Sequence, residues 1–545
     1  MGIQLDTTNI NAITYVTEEL GFTILGGIRM DGLDRLRVTI RIEVINRKFE
    51  HYQNHAELAA LPLNHNLDLY NDVQVEKLIR KAAERLEVGT LQITKAIADI
   101  TRQLELYRLQ QIEQQNTKAE KQKKILSSDE REVAINFLMQ PELMQRTNEC
   151  IGKAGVIGEA YNRLLMYIIF TSRKRESPLH IISFGSSGAG KSHLQEKVAE
   201  LIPQEDKIES TSLTSNALYY FGEYDLQHKL ILIEDMDGAE TVMYALRELI
   251  SKKHIIKMVP LKDTKGVTRT ITFTVKGPVS VAGCTTQERI YEDNANRSFL
   301  IYIDEGKEQD ENIMNYQRKK SAGTINNEQE KQIKELLQNT QRLLQPIQIR
   351  NPFAEKLQIP TEIFKPRRTN AHYLQFIEAV TFYHQYQREK QTDKATGEIY
   401  IDTTLEDISE ANKLMKEVLL RKADELSGAT RNYFEQLKEL LQQQKQSSFT
   451  NKEIRKQLRL PGTTVRRYHN ELLQNGYIKL QENKKKKGYL FEIVSYEEYK
   501  QLQTNISVVL DEILQQLRTT KPFMSQNRNG SMKRIATKIL PEVSQ

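Results

Sequence analysis

Gly185, Ser186, Ser187, Gly188, Ala189, Gly190, Lys191 and Ser192 have the types and spacing G-x-x-x-x-G-K-[ST] of a phosphate-binding P-loop. The glycines let backbone N–H groups curl around phosphate oxygens that a Cβ would obstruct. Lys191 brings a positive charge for β and γ phosphates, and the Ser192 hydroxyl is suited to Mg²⁺. A helix opening near Lys191 adds its positive N-terminal dipole. Leu230-Ile231-Leu232-Ile233-Glu234-Asp235 delivers two acids at the end of an apolar run. Glu234 is the candidate metal ligand, directly or through water, and Asp235 the candidate for orienting the attacking water; glutamate precedes aspartate here, the reverse of the usual Walker B order. ATP and Mg²⁺ are the expected cofactors. Thr285 or Thr286, at the end of Val279–Thr286, could contact the γ-phosphate. Arg297 is placed to act on a neighbouring subunit's nucleotide, and Arg367 and Arg368, just after Pro366, to read the bound phosphates.

The elements that must position these groups show in the hydrophobic pattern. Leu179–Phe184 is a short apolar run before the glycines and a helical run follows, which predicts a buried strand feeding a βα turn. Further strands are predicted at Lys229–Ile233, Pro278–Gly283 and Phe299–Ile303, and their alternation with helices predicts a parallel three-layer α/β sheet. Residues Ser127 to about Arg173 read as helical, Glu305–Glu330 as a polar stretch, and the chain from there to about Leu441 as helices. Near the N-terminus, Gly21–Ile28 and Leu36–Val44 alternate with strand period around an Asp31-Gly32 turn, and a helical stretch runs from Asp68 to about Gln115. The lysine-rich run Lys118–Lys124 reads as a linker or exposed helix end.

These residues together resemble the AAA+ helicase half of the CHC2-type primase–helicases of plasmids, phages and genomic islands. The resemblance rests on Gly158–Asn162, Ser172–Lys174 with Pro178-Leu179, and the P-loop. It continues in Asn296–Ser298, Ile303–Glu305, Glu308-Gln309, Arg367-Arg368 and His384–Arg388, and so covers roughly Val156 to Glu389. It implies a P-loop AAA+ three-layer core with a helical lid, assembled as a homo-hexamer. The module is similar in turn to minichromosome-maintenance helicases, which project a β-hairpin into the ring channel. The counterpart is Ile255–Leu261 with Val267–Val275, and the resemblance implies that Lys262 and Lys265 near its tip grip DNA phosphates. No Cys/His zinc finger and no acidic TOPRIM cluster is recognisable, so primer synthesis is not expected and any primase would be a separate partner.

Charge points to DNA as well. The net charge of +6 is concentrated: residues 449–494 hold eleven Lys/Arg against four Asp/Glu, leaving the rest of the chain near neutral. Thr450–Leu458 and Thr463–Leu473 read as two helices around an Arg459–Gly462 turn. Tyr477–Leu480 and Tyr489–Ile493 read as a hairpin, and the whole as a winged helix-turn-helix. Arg466, Arg467 and His469 are expected on the exposed face of the second helix, and Lys484, Lys485, Lys486 and Lys487 at the wing tip on phosphates. Two cysteines exclude a disulfide framework and a cysteine-based zinc site. No apolar run is long enough to cross a membrane and no signal pattern opens the chain, so a cytoplasmic protein is expected.

The organisation expected across the 545 residues is an α+β domain (1–125), a helical bridge (126–175), an ATPase core (176–310), a helical lid or connector (336–440), a winged helix (446–500) and a helix with a loose tail (501–545). The expected activity is that of an ATP-dependent DNA helicase or translocase. The rivals are a replication initiator or helicase loader, and a nucleotide-switched DNA-binding regulator.

Overall fold

In the computed structural model the described residues are 4–28, 35–45, 62–119, 124–211, 213–214, 216–237, 242–262, 268–286, 297–481 and 489–519. The Asp31-Gly32 turn, most of the Lys118–Lys124 run and the chain beyond Thr519 lie outside them. The chain divides into two compact units, residues 1–123 and 124–545.

The first unit is a four-stranded antiparallel sheet in sequential order: β1 (Ala12–Val16), β2 (Leu20–Leu25), β3 (Arg37–Val44) and β4 (Leu63–Asp68). Alternate residues Ile13, Tyr15, Phe22, Ile24, Val38, Ile40 and Ile42 are buried, the period expected of a sheet with one covered face. The cover comes from α1 (Asp72–Leu86) and α2 (Thr90–Ala119) through Leu78, Ala82, Ile93, Ile97 and Ile100. Asn71 caps α1 by accepting a hydrogen bond from the Gln74 N–H at 3.1 Å.

The second unit opens with α3 (Ser128–Leu138), started by a Ser127/Glu130 capping box, then α4 (Leu143–Lys153) and α5 (Ala160–Thr171). Leu164 to Thr171 are all buried, so α5 is wrapped on every side. Then come β5 (Ile181–Phe184), α6 (Lys191–Ala199), β6 (Lys207–Ser210), β7 (Lys229–Ile233) and α7 (Met243–Lys252). A hairpin of β8 (His254–Lys262) and β9 (Thr268–Lys276) precedes β10 (Val279–Thr285) and β11 (Phe299–Tyr302). The main sheet is wholly parallel, in the order β11–β5–β10–β7–β6. One face packs Ile181, Leu230, Leu232 and Phe299 against α5 and α6. The other packs Ile182, Phe184, Ile231 and Ile233 against α7 and the base of the hairpin. This is the α/β, three-layer P-loop class.

The polar stretch after β11 is helical rather than irregular, forming α8 (Lys307–Ser321) and the start of α9 (Asn327–Leu343). Acids in the first turn of α8 and Arg318, Lys319 and Lys320 in its last suit the helix dipole, although Gln309 is its one buried residue. A three-stranded sheet follows, made of β12 (Gln348–Arg350), β13 (Gln391–Thr392) and β14 (Ile399–Asp402), with α10 (Pro366–Tyr383) inserted after β12. α11 (Leu405–Ala423) starts with a Thr404/Asp407 capping box and packs on α10, and α12 (Gly428–Gln444) leads to the basic segment. There β15 (Ser448–Thr450), α13 (Asn451–Gln457), α14 (Gly462–Gln474), β16 (Ile478–Gln481) and β17 (Leu490–Ile493) form two helices and a three-stranded sheet. The last helix, α15 (Glu498–Thr519), returns to pack on α11. Among the described residues no helix is long and apolar enough to cross a membrane.

Where α12 begins, Arg431 meets Asp424 through two 2.7 Å hydrogen bonds, and both side chains are 1% exposed. Removing one member of such a pair strands its partner as an unpaired buried charge. Arg431→Met is expected to lower unfolding free energy by roughly 3–5 kcal/mol in denaturant titrations, and Arg431→Met combined with Asp424→Leu to recover most of it.

Candidate nucleotide site and basic surfaces

β5 ends at Phe184 and the loop turns at once into α6. Gly188 and Gly190 adopt φ of 84° and 95°, a backbone region that L side chains rarely enter, and a Cβ on either would meet no atom within 4 Å. Glycine is required there by the turn, and space is left beside the main chain for a ligand. Lys191 is buried, and its Nζ donates to the carbonyls of Gly185 (2.9 Å) and Ser186 (2.6 Å). Glu305, just past β11, accepts from the Ser186 N–H (2.8 Å) and Oγ–H (2.9 Å), holding the loop's first turn.

All five strands are parallel, so every C-terminal end lies along one edge. The P-loop follows β5, Glu234 and Asp235 follow β7, and Thr285 ends β10 between them. Gln195 on α6 links the ends of β7 and β10: its Nε2 donates to the Ile233 carbonyl at 3.2 Å and its Oε1 faces the Cys284 thiol at 3.5 Å. Burial pushes that thiol up to about 12, which keeps it protonated. Glu196, one helical turn beyond Ser192, lies against Glu234; burial first and that contact second raise the Glu196 carboxyl above its ordinary range.

Asp235 is exposed and its Oδ1 accepts from the Asp237 N–H at 2.9 Å. Asp237, a residue without a sequence motif, takes three hydrogen bonds: from Thr285 Oγ1 (2.5 Å), Thr286 N (3.1 Å) and Thr286 Oγ1 (2.9 Å). Its signal was a third acid two positions beyond the pair, matched by a strand ending in two hydroxyls. The Ser192 hydroxyl and the Glu234 carboxylate are hard oxygen donors of the kind Mg²⁺ takes, and the open turn at Gly188 and Gly190 suits a phosphate chain.

Arg297 donates from Nε to Ser251 Oγ (3.0 Å) at the end of α7. Arg367 and Arg368 are exposed in the first turn of α10. The half-buried Lys422 lies near Arg368; desolvation first, then the charges of Lys365 and Arg368, lower its ammonium to about 8. Beside the edge strand β11 a cavity of about 510 Å³ opens, lined by Glu159, Tyr161, Asn162, Tyr302, Asp304 and Arg421 among others. Asp304, in its lining, immediately precedes Glu305 in the chain.

Of the DNA candidates, Lys262 closes β8 but its side chain is not among those described, and Lys265 and Lys484 to Lys487 lie outside the described residues. Arg466 and Arg467 are exposed on α14, Arg467 lying over the Tyr468 ring at 5.0 Å. His469 is not on that face: it is 1% exposed, packed among Phe449, Phe491 and Tyr433. Its ring hydrogen-bonds Tyr433 and Asn451, and burial lowers it to about 4. The helix's own geometry overturns the expected exposure: His469 stands four residues after Val465 and three before Leu472, both buried, so the three share one face of α14, and β15, β17 and α12 supply the aromatic cage that covers it.

Residues 126–345 match the family described as the MTBMA_p00010 P-loop domain, a span of less than half the chain. No curated protein matches the chain. Among solved structures, a full-length MCM homolog from Methanopyrus kandleri aligns at 10% identity and a TM-score of 0.35, over 55% of this chain and 64% of that one. The Aeropyrum pernix ORC1 protein in complex with DNA aligns at 11% identity and a TM-score of 0.19, over 70% of this chain and 97% of that one. The chain thus spans just under two thirds of the first structure's length.

Gly283, in β10, faces Met236: a Cβ there would lie 2.3 Å from the Met236 sulfur, and Met236 is 2% exposed with little room to move. Gly283→Ala is expected to cost roughly 1–3 kcal/mol in denaturant unfolding, and the added Met236→Ala to relieve the clash, so that the double variant is less destabilised than the two single losses together.

Proposed function

We propose that the chain is an ATP-dependent DNA helicase or translocase, working as a homo-hexameric ring in the cytoplasm and serving replication of a mobile genetic element. The carrying observation is that the P-loop and the acids after β7 lie on one edge of a parallel sheet, linked through Gln195. In this reading Lys191 leaves the carbonyls of Gly185 and Ser186 for the β and γ phosphates. Ser192 and Glu234 hold Mg²⁺, which neutralises developing phosphate charge when bound, and Asp235 orients the attacking water. Thr285 faces the γ-phosphate, and Asp237 is the positioning residue that sets its hydroxyl. Arg297 serves the neighbouring subunit's site, and Arg367 and Arg368 close over the phosphates from the lid. The cavity beside Asp304 is of a size that suits base and ribose.

DNA is the expected partner of two surfaces: the β8–β9 hairpin with Lys262 and Lys265, and a winged helix comprising α13, α14 and the β16–β17 hairpin. The exposed pair Arg466 and Arg467 supports the second, with the wing lysines Lys484 to Lys487 on phosphates. A separate primase would supply primers. The division into domains at 125, 175, 310, 336–440 and 446–500 belongs to the same reading.

Lys191→Ala is expected to reduce DNA-stimulated phosphate release to background, measured on the full chain with Mg-ATP. The intact protein is expected to displace a long labelled strand from forked DNA processively and to give closed six-fold rings by negative-stain imaging with an ATP analogue. Phosphate release with melting confined to one site would make the chain an initiator or loader instead. Release unchanged by Lys191→Ala would overturn the enzymatic reading altogether.

A further inference from the structure

A cluster of exposed aromatic rings and cations lies on the base of the β8–β9 hairpin and the segment before β7. Tyr220, ending a 3₁₀ turn at Ala217–Tyr220, is 66% exposed, and Tyr224 is 57% exposed. The Tyr220 ring meets Phe273 of β9 edge to face at a centroid distance of 5.9 Å, which fixes its attitude without burying it. Lys257 of β8 places its Nζ 5.5 Å from the Tyr219 ring centre and 5.9 Å from that of Tyr220. The same Nζ donates to the Asn216 side-chain oxygen at 2.7 Å, a neutral partner, and among the described residues no acid pairs with it. Lys276, across the hairpin base, stands 4.8 Å from the Tyr224 ring centre; Glu223 pairs with it at 2.6 Å, so Lys257 is the stronger anion site.

We propose that Tyr220 and Tyr224, flanked by Lys257 and Lys276, form a stacking platform for the bases of single-stranded nucleic acid. Core packing does not account for two rings more than half exposed. An apolar partner alone would leave the Lys257 charge facing a dry interface, which is costly. A single strand satisfies both features, since every base offers a face to an aromatic ring and every linkage a phosphate to a cation. Duplex DNA keeps its bases stacked on one another and offers only its phosphates to such a surface. The inference deepens the proposed function by naming the strand state gripped beside the hairpin.

The test is direct binding of a fluorescein-labelled oligo(dT) to the full chain without nucleotide, by anisotropy, beside a duplex of equal length. Tyr220→Ala and Tyr224→Ala are each expected to weaken single-strand binding roughly 5- to 100-fold. Tyr220→Phe is expected to retain it, and duplex binding to be little changed by any of the three. Lys257→Gln is expected to weaken single-strand binding and flatten its salt dependence. Unchanged oligo(dT) affinity in the double alanine variant, equal losses for strand and duplex, or no rescue by Tyr220→Phe would each overturn the proposal. So would a change of assembly state in the alanine variants by light scattering, which would make the surface a protein interface. Because no ATP is present, failure here is separate from failure of the hydrolysis and unwinding assays.

Discussion

Three hydrogen bonds converge on the Asp237 carboxylate, and through them the segment that follows β7 is pinned to the end of β10. The Met236 N–H, donating to the Cys284 carbonyl at 2.9 Å, makes the same connection through the main chain. Acidic loops at a strand end otherwise explore many conformations, and charges of one sign drive them apart. Here β10 lies between β5 and β7 with its residues in register with both, so its end is a shared reference for the P-loop on one side and the acids on the other. Gln195 completes the frame from the helix side. Any displacement of β10 therefore disturbs Lys191 and Glu234 together. Gly283 sits in this frame with the Met236 side chain packed directly on it, so a Cβ there would press on the segment that carries the acids.

The sequence disclosed those parts whose physics is local. Gly188 and Gly190 are demanded by positive φ, and the motif spacing reports that demand directly. The strands β5, β7, β10 and β11 are largely buried and read as apolar runs. By contrast β6, Lys207–Ser210, is an edge strand with no buried residue and no apolar run. Likewise β4, with the sequence Leu-Asn-His-Asn-Leu-Asp, owes its place to pairing with β3 rather than to its own pattern. Asp237 escaped notice because its partners, Thr285 and Thr286, lie far along the chain and only the fold brings them together.

Several residues of the family-like motifs have an evident structural task. The fully buried Arg173 donates to Asp206 (2.6 Å) and Gln341 (2.7 Å), and Lys174 to the Gln341 carbonyl, tying the end of α5 to α9. Gly158 has a positive φ, and a Cβ on it would overlap the Gln309 side chain, whose Nε2 reaches the Ile157 carbonyl at 3.0 Å. Arg388 donates to Asp407, the capping residue of α11, and Gln387 to the carbonyls of Leu138 and Gln140. A stretch with regular spacing can thus mark the clamps around a site as readily as the site itself. Separating the two takes burial and partners, which spacing does not contain.

The same distinction governs the basic segment. Arg466 and Arg467 present charge to solvent only because α14 is held at a definite rotation, and His469 is the pin that holds it. A neutral imidazole carries one donor and one acceptor, which matches the Asn451 side-chain oxygen on Nδ1 and the Tyr433 hydroxyl on Nε2. Burial favours that neutral form by lowering the ring to about 4, so the pairing holds through the neutral pH range. A charged ring in the same cage would have two donors and a desolvated charge facing Phe449 and Phe491. Placing the histidine inward and the two arginines outward follows from one physical rule. The weakly basic ring loses its proton on burial at little cost, whereas a guanidinium keeps its charge and stays in water unless an acid such as Asp424 meets it inside.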